Sequence, residues 1–222
     1  MGVTEFFDTP SELIAPQEPV GVPPVVAVVV VHELGDWTAD SLAALASQDY
    51  PNLQILVLST SQQTDEAATA IVDVCANNAP ASVLRFMDSN PGFGAACNNV
   101  LVMVDGESGF YLFIHDDAVL AADGVSRLIE ELYRSNAGIV GPKIVSWDDV
   151  RQLQSVGVAV DRFGERDSVV SADEIDQEQH DAVRDTFMLP STCMLIRADL
   201  FRSLGGFEPS LIHESADLDL CW

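Results

Sequence analysis

Basic residues are scarce in this sequence. Lys143 is the single lysine, and Lys and Arg together number 10 against 35 Asp and Glu, for a formal charge of -25. A field of that sign repels nucleic-acid phosphates and anionic headgroups, so no nucleic acid is expected as a partner. An anionic small substrate needs a cation beside it. Long hydrophobic runs are missing too: the longest, residues 20–31, is broken by Pro23 and Pro24 and falls short of the roughly 20 residues that span a bilayer. The start, Met1-Gly2-Val3-Thr4-Glu5-Phe6-Phe7-Asp8, lacks the basic and apolar regions of a secretion signal. Cysteine is sparse, and Cys75, Cys97, Cys193 and Cys221 form no CxxC and stand near no histidine at zinc spacing. Buried, reduced thiols and a cytoplasmic setting are expected. Internal repeats and low-complexity tracts are absent as well.

What is present describes one folded domain. Hydrophobic residues make up 48% and charged residues 20%, ordinary globular usage in a chain long enough for a single sizeable core. Residues 1–24 hold five of the 11 prolines and are read as an irregular lead-in, with the domain proper at 25–222. Val25–Val31 is a continuous β-branched run, too apolar for a strand with one wet face, which predicts a central strand covered on both sides. Trp37, Leu42, Leu45 and Ala46 then fall at helical spacing, and Tyr50-Pro51-Asn52 ends that helix. The alternation continues with strands expected at 53–58, 83–87, 110–114 and 138–144, and helices at 65–77, 94–104 and 124–135. It predicts an α/β fold, a mainly parallel sheet with helices on both faces. Residues 146–185 break the pattern with two short β segments, 155–160 and 168–170, and a polar stretch at 173–185, read as a small β insertion that can wall an acceptor site. A strand at 187–196 and a short helix at 198–204, closed by Gly205-Gly206, follow.

Three constellations carry chemistry. The strand at 110–114 runs into His115-Asp116-Asp117, and ligands of open α/β sheets bind at the carboxyl ends of strands. Two carboxylates and an imidazole there can hold Mg2+ or Mn2+ with positions left for phosphates; a loop of solvated acids is the alternative. Asn90-Pro91-Gly92-Phe93-Gly94-Ala95-Ala96-Cys97-Asn98-Asn99 opens a helix with glycines that admit a ligand close to the backbone, or it is a tight strand-to-helix turn. Cys97 at the third glycine position makes it a poor dinucleotide fingerprint. Near the end, His213-Glu214-Ser215-Ala216-Asp217-Leu218-Asp219-Leu220-Cys221-Trp222 gathers ionisable groups, one of which can serve as a general base, or it is a solvated acidic helix start.

In order and spacing these segments resemble the inverting family 2 glycosyltransferases of the GT-A fold, from about Val25 to Trp222. The resemblance rests on Val25–Val31, Leu45-Ala46-Ser47-Gln48-Asp49-Tyr50-Pro51, the 90–99 segment, His115-Asp116-Asp117, Gly141-Pro142-Lys143, Met194-Leu195-Ile196-Arg197, Gly205-Gly206-Phe207 and Asp217-Leu218-Asp219-Leu220-Cys221-Trp222. Within the family the chain looks most like the actinobacterial branch, whose cytosolic catalytic domain precedes a membrane region. His115-Asp116-Asp117, Ser146-Trp147-Asp148-Asp149 and Asp176-Gln177-Glu178-Gln179-His180-Asp181 point there.

The resemblance implies a metal-dependent transfer of sugar from a nucleoside-diphosphate sugar to a cell-envelope glycan or glycolipid at the inner face of the plasma membrane. Asp117 matches the last acid of the D-x-D motif and, with His115, takes the divalent cation, Mn or Mg; Asp116 neighbours the donor. Asp217 matches the aspartate of the E-D motif, the base. His32, Glu33, Ser59, Asn90, Gly92 and Asn98 line the nucleotide and sugar pocket. The sequence departs from the pattern in three places. Ser59 stands where an acid contacts the base of the nucleotide, His115 replaces the first acid of D-x-D, and Ala216 replaces the Glu of E-D. The chain stops one residue before the family's next arginine and is read as C-terminally truncated, with any membrane contact in the part beyond Trp222. A non-catalytic domain of the same fold binding a glycan or protein is the rival reading. A nucleotidyltransferase ranks below it, because His32-Glu33-Leu34-Gly35-Asp36 lacks the basic residues of such loops.

Overall fold

The computed structural model describes residues 21–60, 64–106, 108–163, 165–211 and 215–222. Most of the expected lead-in, and His213 and Glu214 of the C-terminal acidic cluster, lie outside the described residues.

Strand β1 (Val25–Val31) is the centre, with Val25, Ala27, Val28 and Val29 fully buried. β-Branched side chains on both faces of one strand are stable only when both faces are covered. Beside it lie β2 (Leu53–Ser59), β3 (Val83–Phe86) and β4 (Phe110–His115), all paired in parallel as β3-β2-β1-β4. The sheet is completed beyond β4 by β10 (Cys193–Arg197), antiparallel to β4, and by the edge strand β5 (Ile139–Val140), antiparallel to β10.

The pleat divides the core. Val25, Ala27, Val29, Leu112 and Ile114 face Leu42 and Leu45 of α1 (Asp36–Ala46), Ile71 and Cys75 of α2 (Asp65–Asn78), and Val125, Leu128, Ile129 and Leu132 of α5 (Gly124–Ser135). Val26, Val28, Tyr111, Phe113, Met194 and Ile196 face the other layer. That layer contains α3 (Phe93–Cys97), α4 (Val100–Met103), α6 (Ala198–Leu204) and α7 (Ala216–Cys221), joined through Phe201, Phe207 and Leu220. Helices cover both faces, as the sequence pattern requires.

Four expected elements differ in detail. The helix at 94–104 is α3 and α4, interrupted at Asn98 and Asn99; Asn99 turns its amide back onto the Ala96 carbonyl at 2.9 Å, a local bond that competes with the helical ladder. The strand at 138–144 ends at Val140, because Gly141-Pro142 cannot continue a ladder, and β6 (Ile144–Val145) pairs instead with β7 (Leu153–Ser155). The segment at 155–160 is split by Gly157, whose φ is +101°, into β7 and β8 (Val158–Val160), and β8 pairs with β9 (Arg166–Ser168) rather than a strand at 168–170. The 187–196 strand begins at Cys193, with Met188 making only an isolated bridge to Val158.

Candidate active site

The carboxyl ends of β1, β2, β3 and β4 share one edge of the sheet, because these four strands are parallel. At the ends of the first three, side chains converge on His32. Asn90 Oδ1 accepts the Gly92 N–H at 2.9 Å, which turns its amide nitrogen toward His32 Nδ1 at 3.2 Å. Thr60 Oγ1 is 3.2 Å from the same nitrogen. The Asn90 amide nitrogen can only donate and the Thr60 hydroxyl can donate as well, so His32 Nδ1 lies between two potential donors. Gly92, at φ +90°, caps α3 and brings its backbone into the same corner. Ser59 is buried at the end of β2, while Glu33 is exposed.

Asn98 lies apart from this corner. Its amide donates to the Phe207 carbonyl and its Oδ1 accepts from the Phe207 N–H, each at 2.8 Å. Gly206 passes so close that a Cβ there would sit 2.3 Å from Asn98 Oδ1. The asparagine clamps the turn that leads to α7.

At the end of β4, Asp116 turns away from its neighbours His115 and Asp117. Asp116 is turned to α1, where Thr38 Oγ1 donates to Oδ2 at 3.2 Å and Trp37 also hydrogen-bonds it. Burial pushes its carboxyl above the usual range, helped by the charge of Asp117 and opposed by the Thr38 bond. His115 packs edge-on against Phe93 with ring centroids 4.6 Å apart, and its Nδ1 lies 3.8 Å from Asp117 Oδ1. Burial lowers the His115 pKa, and the charges of Asp117 and Asp217 offset part of that.

Asp217 joins this group from the far end of the chain. It is 4% exposed and lies in the first turn of α7. Ser191 connects it to β4: the Ser191 N–H donates to Asp217 Oδ2 at 3.1 Å, and Ser191 Oγ is 3.3 Å from His115 Nε2. The remaining oxygen, Oδ1, accepts from the Leu218 N–H at 2.9 Å and from Arg166 Nη2 at 2.6 Å. The expected base thus adjoins the expected metal residues, and it is ion-paired.

Among the described residues no group of three or more His, Cys, Asp and Glu is arranged to hold a metal. His115 and Asp117 nonetheless fit a hard divalent cation as a partial set. One imidazole nitrogen and one carboxylate oxygen converge and stay partly exposed, and such ions complete their shells with phosphate oxygens and water. A separate cavity of about 830 Å3 lies along β5, between α5 and residues 180–189, and Cys221 of α7 lines it.

The sequence pattern of glycosyl transferase family 2 matches residues 25–205. This chain belongs to that family. No curated protein sequence matches the glycosyltransferase-family chain, but solved structures do. A mannosyltransferase from Pyrobaculum calidifontis, solved with GDP-Man and Mn2+, has a TM-score of 0.60 at 21% identity over 94% of this chain and 53% of its own. S. aureus TarS (residues 1–349) gives 0.61 at 17% identity over 89% of this chain and 54% of its own. GalNAc-T7 with UDP, GalNAc and Mn2+ gives 0.67 at 12% over 90% and 39%. These likenesses show the fold, GT-A, and this family 2 chain spans about half the length of the first two, 53% and 54%.

Sequence reasoning missed Ser191, Thr60, Phe93 and Arg166. Ser191 stands in an expected strand, and Arg166 in a polar stretch without periodicity. Phe93 stands in the 90–99 segment, where the glycines carry the ligand-binding signal and an aromatic side chain carries none.

Proposed function

We propose that this domain transfers a sugar from a nucleoside-diphosphate sugar to an acceptor hydroxyl with inversion, in a reaction that depends on a divalent cation. The observation that carries the reading is the Ser191 bridge: one residue contacts both His115 and Asp217, so the donor end and a buried carboxylate share one small space. The nucleotide lies over the ends of β1 to β3, against His32, Glu33, Ser59, Asn90 and Gly92. His115 and Asp117 would hold the cation, Mn or Mg, with Asp116 as their neighbour in sequence, and the cation would supply charge to offset that of the departing diphosphate. Asp217 is the base. It accepts the acceptor's O–H proton while that oxygen forms a bond to the anomeric carbon. The carbon–oxygen bond to the diphosphate breaks in the same displacement, its electron pair leaving with the phosphate. A single in-line displacement inverts the anomeric centre.

The acceptor is a cell-envelope glycan or glycolipid, reached from the cytoplasmic side of the plasma membrane, as the resemblance to the actinobacterial branch implies. Among the described residues no helix is long and apolar enough to cross a membrane. The separate cavity along β5 is lined by Cys221, one turn after Asp217 on α7, and not by Asp217 itself.

The test is calorimetric titration with UDP, GDP and dTDP, each with and without Mn2+, on the parent chain and on Asp117→Ala. One diphosphate binds in a Mn2+-dependent way and Asp117→Ala loses that binding. Asp217→Asn binds the diphosphate at least as well as the parent and loses turnover by roughly 10²- to 10⁴-fold, the ordinary contribution of a general base. Binding of none of the three favours the non-catalytic reading, to which Ala216 and the paired state of Asp217 lend support.

A further inference from the structure

Few of this chain's cations are placed to meet an anionic donor. All ten Lys and Arg are among the described residues. Lys143 is bound by Asp176 and Asp181. Arg127, Arg134, Arg151 and Arg197 pair with acids two to four residues away in sequence. Arg85 and Arg202 donate to main-chain carbonyls, Arg184 contacts His180, and Arg162 lies over the Phe163 ring. Among the described residues, Arg166 alone of the ten contacts a residue of the candidate site.

Its position suits two partners. Asp217 keeps two backbone donors, the N–H groups of Ser191 and Leu218, so the carboxylate stays oriented when the guanidinium leaves. Arg166 is carried by β9, all three residues of which are exposed, in a two-stranded sheet separate from the main one. A sheet of that size is marginally stable by itself; β8 is anchored by the paired backbone hydrogen bonds of Val158 and Met188, which leaves β9 as its outer strand. The acceptor oxygen must lie about 3 Å from the base and about 3 Å from the anomeric carbon, and the bridging oxygen and β-phosphate come next. In-line displacement sets that phosphate on the far side of the anomeric carbon from the base, so the guanidinium meets it only by leaving Asp217 and swinging past the sugar. A guanidinium binds phosphate bidentately and strongly.

We propose that Arg166 is a positioning residue that serves two partners in turn. It holds Asp217 in the donor-free chain and passes to the diphosphate when the nucleotide sugar enters, leaving the carboxylate to the acceptor. The exchange breaks and makes only ion pairs. It rests on Asp217 being the base.

The test is a double-mutant cycle read by calorimetry in Mn2+, using whichever of UDP, GDP or dTDP binds, with the matching nucleoside as control. Arg166→Gln weakens the diphosphate about tenfold or more, the scale of a lost charged hydrogen bond, and leaves the nucleoside unchanged; Arg166→Lys recovers part of the loss. Asp217→Asn tightens diphosphate binding several-fold in the parent and not in the Arg166→Gln background, because only the parent has a guanidinium to release. In turnover, Arg166→Gln raises the donor KM more than it lowers kcat. Unchanged diphosphate affinity in Arg166→Gln, or an Asp217→Asn effect equal in both backgrounds, overturns the exchange and leaves the function standing. Failure of the parent chain to bind any diphosphate overturns both. Should Arg166→Gln not fold, the same cycle is read with Arg166→Lys, expected to be smaller in size and equal in sign.

Discussion

Ser191 and His115 tie together two segments that lie 76 residues apart, and the burial of the imidazole there sets the direction in which it titrates. Burial holds the His115 pKa below its ordinary 6.5, against the opposing charges of Asp117 and Asp217. A depressed folded value means the unfolded chain takes the proton first. Stability from this residue is therefore complete above pH 6.5 and is lost as pH falls toward the folded value. Urea midpoints of the parent and of His115→Gln should converge as pH is lowered from 7.5 to 5.5, the parent losing more. Equal losses would mean the imidazole titrates as it does in water. The same depression leaves the ring neutral at pH 7, the state in which a nitrogen can ligate a metal.

At the scale of elements, the turn from α6 into α7 hangs on Asn98. Two bonds to the Phe207 backbone place Phe207 in the core layer and set where the chain departs toward Asp217. Asn98→Ala removes both and should cost about 2–3 kcal/mol of unfolding free energy, at about 1–1.5 kcal/mol per bond, with turnover falling as α7 shifts. A loss below about 0.5 kcal/mol would show the clamp idle. The elements of the fold are unequally legible in the sequence. β1, β2, β4, α2 and α5 announce themselves because a strand buried on both faces and a helix buried on one leave unmistakable patterns. The insertion does not: β8 and β9 are short and mostly exposed, so no alternation records their register, and only the φ of Gly157 fixes where β7 ends. The site divides the same way. His115-Asp116-Asp117 is legible because it follows an apolar strand. That Asp116 turns to Thr38, that Asn98 serves Phe207, and that Arg166 reaches Asp217 across 51 residues are matters of packing, which leave no local trace.

Over the whole molecule, a charge of -25 opposes compaction, because like charges lie closer in the folded state than in the expanded one. The exposed ion pairs return little of this, each worth at most about 1 kcal/mol. Added salt should therefore stabilise the chain. The thermal midpoint is expected to rise between 50 and 500 mM NaCl, by about 2–4 °C for each kcal/mol of repulsion screened in a protein of this size. A falling midpoint would mean that attraction between ion pairs outweighs the net field.

The strand order also bears on synthesis. β10 lies between β4 and β5 in the sheet but follows both in the chain, with the whole insertion made between. As the polypeptide leaves the ribosome, β1, β2, β3 and β4 can already zip together, while β5 has no neighbour to join. Until Cys193–Arg197 emerges, the backbone of β4 presents an open, apolar flank of unmet hydrogen bonds, the kind of surface on which nascent chains associate wrongly. The acidic insertion emerges during that interval, and its charge surrounds the growing chain while the flank is bare. Charge that opposes compaction in the finished protein thus keeps neighbouring polysome products apart while the last central strand is still being made.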